Sequence, residues 1–144
     1  MASTNNNPIF PQTIRNSFQI ITHGDGTTIK PLFVAGVNGS IIESIIISST
    51  DSSTTTVNLY ITDTTGNNYY IVRVTNVSNS NPPINLFTVG QLAALANSST
   101  ILLNLDSNGN PYIYLAAGSS LSIGTTSTLT STTTLNVVAQ GGDY

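Results

Sequence analysis

His23-Gly24-Asp25-Gly26 is the one place where an imidazole and a carboxylate stand side by side in this sequence. Such a pair can act as a general base with its orienting group. Adjacent residues in a glycine-flanked turn seldom converge on one substrate atom, so the segment reads as a turn. No Gly-x-Ser-x-Gly elbow exists, and the chain has no cysteine to serve as a nucleophile. A metal site needs clustered His, Cys or carboxylate ligands. The acids Asp25, Glu43, Asp51, Asp63, Asp106 and Asp143 lie far apart along the chain. Asp106-x-Asn108-x-Asn110 imitates the opening of a calcium loop, but Gly109 comes too early and no Glu closes the loop. It too reads as a turn. No enzyme activity, metal or cofactor is expected.

Two further features bear on contacts rather than catalysis. Glu43 sits inside the Ile-rich run Ile41-Ile42-Glu43-Ser44-Ile45-Ile46-Ile47. An unpaired buried carboxylate is costly, so Glu43 either pairs with Arg73 or faces solvent or a neighbouring subunit. Thr126, Thr128, Thr130, Thr132 and Thr134 would share one face if extended, as in the flat ladders of ice-binding surfaces. Only one strand carries them, and Leu135 and Val137 continue it, so it reads as an ordinary Thr-rich strand.

The 144 residues suffice for one domain of ordinary size. Charged residues make up only 6%, against a typical value of about 25%. Lys and Arg number 3, and the net charge is −3. Arg15, Lys30 and Arg73 cannot neutralise a run of phosphates, which argues against nucleic acid and against an anionic membrane surface. No apolar stretch approaches the ~20 residues of a membrane span. The first residues, Met-Ala-Ser-Thr-Asn-Asn-Asn, have neither the basic nor the apolar region of a secretory signal. Mean hydropathy is +0.14, which is not the composition of disorder.

Thr, Ile, Val and Tyr dominate the ordered-looking runs, and these suit a pleated surface. Strands are expected over 27–34, with Pro31 marking an edge or a bulge, and over 40–48, apolar on both faces like a central strand or a subunit contact. The alternation of Val57, Leu59 and Ile61, the loop around Gly66, and the return from Tyr69 to Thr75 form the clearest hairpin. Val89 to Ala96 is the one helical-looking piece. Further strands are expected over 100–105, 111–115, 121–126 and 129–140. About eight strands, spaced roughly 8–12 residues apart, point to an all-β, antiparallel β-sandwich or jelly-roll-like fold. Residues 1–16 are expected to form an extended N-terminal arm, and residues 17–144 a single β-sandwich domain. In the arm, Pro8 and Pro11 flank Ile9 and Phe10, which have no local apolar partner.

The segments Thr22-His23-Gly24-Asp25-Gly26-Thr27-Thr28, Gly36-Val37-Asn38-Gly39-Ser40-Ile41-Ile42-Glu43-Ser44-Ile45, Ser48-Ser49-Thr50-Asp51 and Asn108-Gly109-Asn110-Pro111-Tyr112-Ile113-Tyr114-Leu115, with the closing Val137-Val138-Ala139-Gln140-Gly141-Gly142-Asp143-Tyr144, resemble small head proteins of tailed bacteriophages. These are the decoration, or cement, proteins that associate with a major capsid protein. Ala116-Ala117-Gly118-Ser119 stands where the family pattern has a Pro-Ala-Gly turn. The resemblance implies a homotrimer on the capsid exterior of the virion, made in the host bacterial cytoplasm, that bridges neighbouring capsid subunits. The expected capsid or inter-subunit contacts are Pro8, Ile9, Phe10 and Pro11 of the arm, with Glu43 and Tyr144. A second reading is a tail-fibre or receptor-binding module whose Tyr60, Tyr69, Tyr112 and Tyr114 stack on host glycans. No small-molecule substrate is expected under the first reading.

Overall fold

The computed structural model describes residues 13–87 and 104–144. The described strands are β1 (Thr13–Thr22), β2 (Lys30–Val34), β3 (Ser40–Ser49), β4 (Thr55–Thr62), β5 (Asn68–Val77), β6 (Ile84–Asn85), β7 (Asn104–Leu105), β8 (Pro111–Leu115), β9 (Ser120–Thr125) and β10 (Thr134–Asp143). All their pairings are antiparallel. Sheet A has the order β1-β10-β3-β8-β7, with β6 also beside β3; sheet B has the order β2-β9-β4-β5. The sheets pack on each other around one core, in which Ile21, Ile42, Ile45 and Leu135 from sheet A meet Phe33, Leu59 and Ile123 from sheet B. The chain is therefore the antiparallel β-sandwich that its strand spacing predicts. The expected helical piece, Val89 to Ala96, lies outside the described residues.

A bulge in β3 explains much of the two-sided apolarity of that strand. Against β10, Ser44 pairs with Gln140 and Ile42 with Gly141, which leaves Glu43 as the extra residue. The inserted residue resets the alternation, so Ile42, Ile45 and Ile47 are all fully buried while Glu43 is exposed. The bulge requires glycine opposite it. A Cβ at Gly141 would lie 2.0 Å from the Ile41 carbonyl oxygen and 3.0 Å from the Ile42 Cα. Backbone meets backbone there, and no side chain fits.

The β4–β5 and β7–β8 hairpins share one loop sequence, Asp-x-x-Gly-Asn, at 63–67 and 106–110. They also share one set of bonds. The Asp N–H donates to the Asn carbonyl (3.0 and 2.9 Å), and the Gly N–H donates back to the Asp carbonyl (3.1 and 3.0 Å). The carboxylate accepts the N–H groups of the residues two and four positions on, at 2.8–2.9 Å. Gly66 and Gly109 take φ +89° and +81°, the left-handed region that favours glycine. The Asp106 segment is thus a turn whose carboxylate is occupied by its own loop.

On one side of the sandwich the edge strands β1 and β2 meet, and side chains tie them. Arg15 donates to the Val34 carbonyl. Gln19 Nε2 donates to the Pro31 carbonyl at 2.8 Å, and Lys30 Nζ to the Ile20 carbonyl at 3.0 Å. Arg15 also pairs with Asp143 at 3.0 Å and lies 4.2 Å from the centre of the Phe33 ring. Pro31 stands on an edge strand beside a register shift, as expected.

Several expectations need correction. Thr13 to Asn16 belong to β1, not to an arm, and pair with Gln140 to Asp143 of β10. Residues 126–133 are a loop, so the alternating threonines share no strand face; the Thr133 N–H closes a turn onto the Thr130 carbonyl, and Thr132 has φ +68°. Glu43 and Arg73 do not pair: Arg73 lies on sheet B, where Nε donates to Asn58 Oδ1 at 3.3 Å. Alternation over Tyr69 to Thr75 would put Tyr70, Val72 and Val74 on one face, but a register shift in the β4–β5 pairing turns Tyr70 outward while Val72 and Val74 stay buried.

Asp51 is a buried carboxylate that pairs with no cation among the described residues. Its oxygens accept the N–H of Thr130 (2.7 Å) and of Ser53 (2.9 Å) and the Thr133 hydroxyl (3.2 Å), joining the β3–β4 loop to the β9–β10 loop. These donors hold its pKa below the ordinary carboxylate value, the Thr130 N–H most of all. Asp25, Asp63 and Asp106 are lowered too, chiefly by the Thr22 N–H, the Thr65 hydroxyl and the Asn110 amide respectively.

Two predictions follow from this framework. A carboxylate whose folded pKa is depressed adds stability that is complete above its unfolded pKa and is lost as pH falls through the folded one. Urea unfolding should therefore show constant stability from pH 7 to 5 and a steep fall below about pH 4, and Asp51→Asn should flatten that fall. Gly141→Ala should cost at least about 3 kcal/mol, the top of the overpacking range, because backbone and not a side chain must give way, measured by the same unfolding. Gly24→Ala should cost far less, since its nearest neighbour would be Thr22 Oγ1 at 3.8 Å.

Candidate interaction surface

Strand alternation decides what sheet A shows to solvent. In β1 the odd positions turn inward: Ile21 is fully buried, Arg15 reaches Asp143, and Gln19 reaches Pro31. The even positions turn out. Ile14 is 75% exposed, Phe18 69% and Ile20 51%. Cross-strand register extends these side chains into rows. Phe18 lies opposite Val138 of β10, and Val138 opposite Ile46 of β3, which is 40% exposed. Ile14 lies opposite Gly142, Gly142 opposite Ile41, and Ile41 opposite Tyr114 of β8. Between the rows runs a polar rung, Asn16, Gln140 and Ser44.

Glu43 stands at the bulge beside this face and is exposed. Tyr144 comes to the same end of the sheet. Its N–H donates to the Gly39 carbonyl at 3.2 Å, and its carbonyl accepts Asn38 Nδ2 at 3.2 Å. Its ring lies 6.4 Å from that of Tyr114. Gly39 makes this close turn possible, with φ +94° and room for no Cβ beside the Tyr114 hydroxyl. Partial burial, then the neighbouring Tyr112, Tyr114 and Glu43, push the Tyr144 hydroxyl above its ordinary pKa. Asp143, just before it, is held by Arg15 and by the Ser40 hydroxyl.

The structure thus brings two of the expected contact residues, Glu43 and Tyr144, to one region of sheet A. Pro8, Ile9, Phe10 and Pro11 lie outside the described residues. The sequence reading names none of Ile14, Phe18 and Ile20, because the expected arm, 1–16, takes in Ile14 and the first expected strand begins only at residue 27, although their even spacing is a strand signal.

The catalytic alternative at His23 finds no geometry. The His23 Nδ1–H donates to the Leu129 carbonyl at 2.6 Å. Asp25 accepts the Thr22 N–H at 2.7 Å and pairs with Lys30 at 3.1 Å. The two side chains serve different partners in a capped turn. Among the described residues no three His, Cys, Asp or Glu side chains gather as metal ligands. The four tyrosines of the glycan reading do not form one platform. Tyr60 and Tyr69 belong to sheet B, where the Tyr69 hydroxyl donates to Asp63 at 3.1 Å, whereas Tyr112 and Tyr114 belong to sheet A.

The candidate site is therefore a nearly uncharged sheet face, with apolar rows on either side of one polar rung, on a cross-braced sandwich. No family model matches the chain, and neither a curated protein nor a solved structure matches it.

Proposed function

We propose that this chain is a structural virion protein that decorates the outside of a tailed-phage head, bridging and stabilising neighbouring capsid subunits. The observation that carries the reading is the outer face of sheet A. Ile14, Phe18, Ile20, Ile46 and Tyr114 are all substantially exposed there, with Glu43 the one outward charge among the neighbouring rungs of β3. Exposed large apolar side chains gathered on one face mark a place where another protein packs. A β-sheet face suits a flat shell, because its side chains are fixed by cross-strand neighbours and little ordering entropy remains to be lost on docking. The sequence resemblance to decoration proteins supports the same reading and adds the homotrimer around local threefold positions. Cyclic symmetry of that kind buries apolar surface without open-ended growth.

Ile46 is the side chain to change, since it stands mid-face on an interior strand and away from the β1 edge. Wild-type protein mixed with undecorated heads of its phage should co-sediment with them in many copies per particle. Ile46→Asp should keep the far-ultraviolet dichroism of the sandwich and lose retention by at least about tenfold, the equivalent of ~1.4 kcal/mol. Unchanged retention of the variant would remove this face from the account. A mere handful of copies per particle would point to a tail device instead.

A further inference from the structure

β1 ends sheet A, so one side of it has no strand neighbour among the described residues. That free edge is closed along one half. In an antiparallel strand the N–H and C=O of one residue point to the same side, and successive residues alternate. Ile20 and Thr22 direct theirs away from β10. The Ile20 N–H donates to Gln19 Oε1 at 3.1 Å, the Ile20 carbonyl accepts Lys30 Nζ at 3.0 Å, and the Thr22 N–H donates to Asp25 Oδ2 at 2.7 Å. The same alternation turns the backbone groups of Ile14, Asn16 and Phe18 to the free side, and no described residue meets them.

The open half has a particular form. It is centred on Asn16, with Ile14 and Phe18 at equal distances on either side. All three side chains are uncharged and exposed. Arg15, the one charged residue in it, turns inward to Asp143 and the Val34 carbonyl. Neither Lys nor Pro occurs among residues 13–18, although an open edge is a template for another strand.

We propose that two copies of this chain join β1 to β1, antiparallel, across a twofold axis through Asn16. In that register Ile14 faces the partner's Phe18, and Asn16 faces the partner's Asn16. Each of these pairs exchanges both backbone hydrogen bonds, and the ladder ends where the side-chain caps at Ile20 begin. An isologous contact of this kind by itself closes at two copies, and in the proposed trimer each subunit would offer one such edge to a subunit of a neighbouring trimer. It joins the apolar outer faces of two sheets into one. It uses the strand edge rather than the face assigned to the shell, so either assignment can fail without the other.

The chain has no cysteine, so Asn16→Cys adds a single thiol with its twin directly across the axis. Hydrogen-bonded residue pairs place their Cα atoms about 5.5 Å apart, within the roughly 4.4–6.8 Å that a disulfide spans. Mild oxidation of the full-length Asn16→Cys protein should give a disulfide dimer at least tenfold faster than Thr22→Cys, which sits at the closed end of the same strand. Equal rates for the two variants, or no dimer from Asn16→Cys, would overturn the proposal. Hydrogen exchange on the unaltered protein gives a second reading that no folding defect can confuse. Protection of the Ile14, Asn16 and Phe18 amides should rise at least tenfold between dilute and concentrated samples. Fast exchange at every concentration, or protection that ignores concentration, overturns it as well.

Discussion

Position 141 has room for a hydrogen atom and nothing larger. A Cβ there would stand 2.0 Å from the Ile41 carbonyl. That contact brings β10 against β3 at the bulge, and through β10 it holds β1, which pairs with no other strand among the described residues. The first strand is thus held by the last. Chain entropy must be surrendered over nearly the whole sequence before the β1–β10 pairing gains anything. The β4–β5 hairpin, closed by its Asp63 loop, is the local half. The same contact sets the outward surface: it places Glu43 outside, returns Ile45 and Ile47 to the core, and fixes which isoleucines remain for a partner.

A protein with so few charges must place each of them with care. Two of the three cations, Arg15 and Lys30, stand at the β1–β2 seam, where ladder bonds between the sheets are impossible and side chains must span the gap. The carboxylates Asp51, Asp63 and Asp106 are satisfied by N–H and hydroxyl donors instead of cations. Hydrogen bonds to an ionised carboxylate are about twice as strong as neutral ones, which is how polar loops are pinned without ion pairs. The outer face of sheet A is consequently left with almost no charge to keep other proteins away.

The sandwich was legible from its strands because alternation and turn chemistry agreed in the β4–β5 hairpin and in β8. Pro31 correctly marked an edge. The Asp-x-x-Gly-Asn loops were readable as turns, because Gly and Asp each serve a definite geometric need there. What escaped was whatever depends on non-local pairing. β1 was not read as a strand, its first four residues falling in the expected arm, because Asn16, Ser17 and Gln19 dilute its pattern, and only its register with β10 separates Phe18 outside from Ile21 inside. The bulge at Glu43 was hidden in an isoleucine run that reads as apolar in either register. The threonines of 126–133 alternate perfectly in sequence, yet the Asp51 carboxylate draws the Thr130 N–H and the Thr133 hydroxyl into a turn. Glu43 and Tyr144, which the sequence reading named, lie beside apolar rows that it did not name.

The fold supplies a rigid, nearly uncharged sheet face, and the proposed role is to lay that face on a phage shell. The most direct measurement is an electron cryomicroscopy reconstruction of undecorated heads saturated with the purified protein. The account predicts density at repeated positions over the whole exterior, with the outer face of sheet A, from Phe18 through Val138 to Ile46, buried against capsid subunits. Heads that remain bare at saturation would contradict it, as would bound copies that turn this face to solvent.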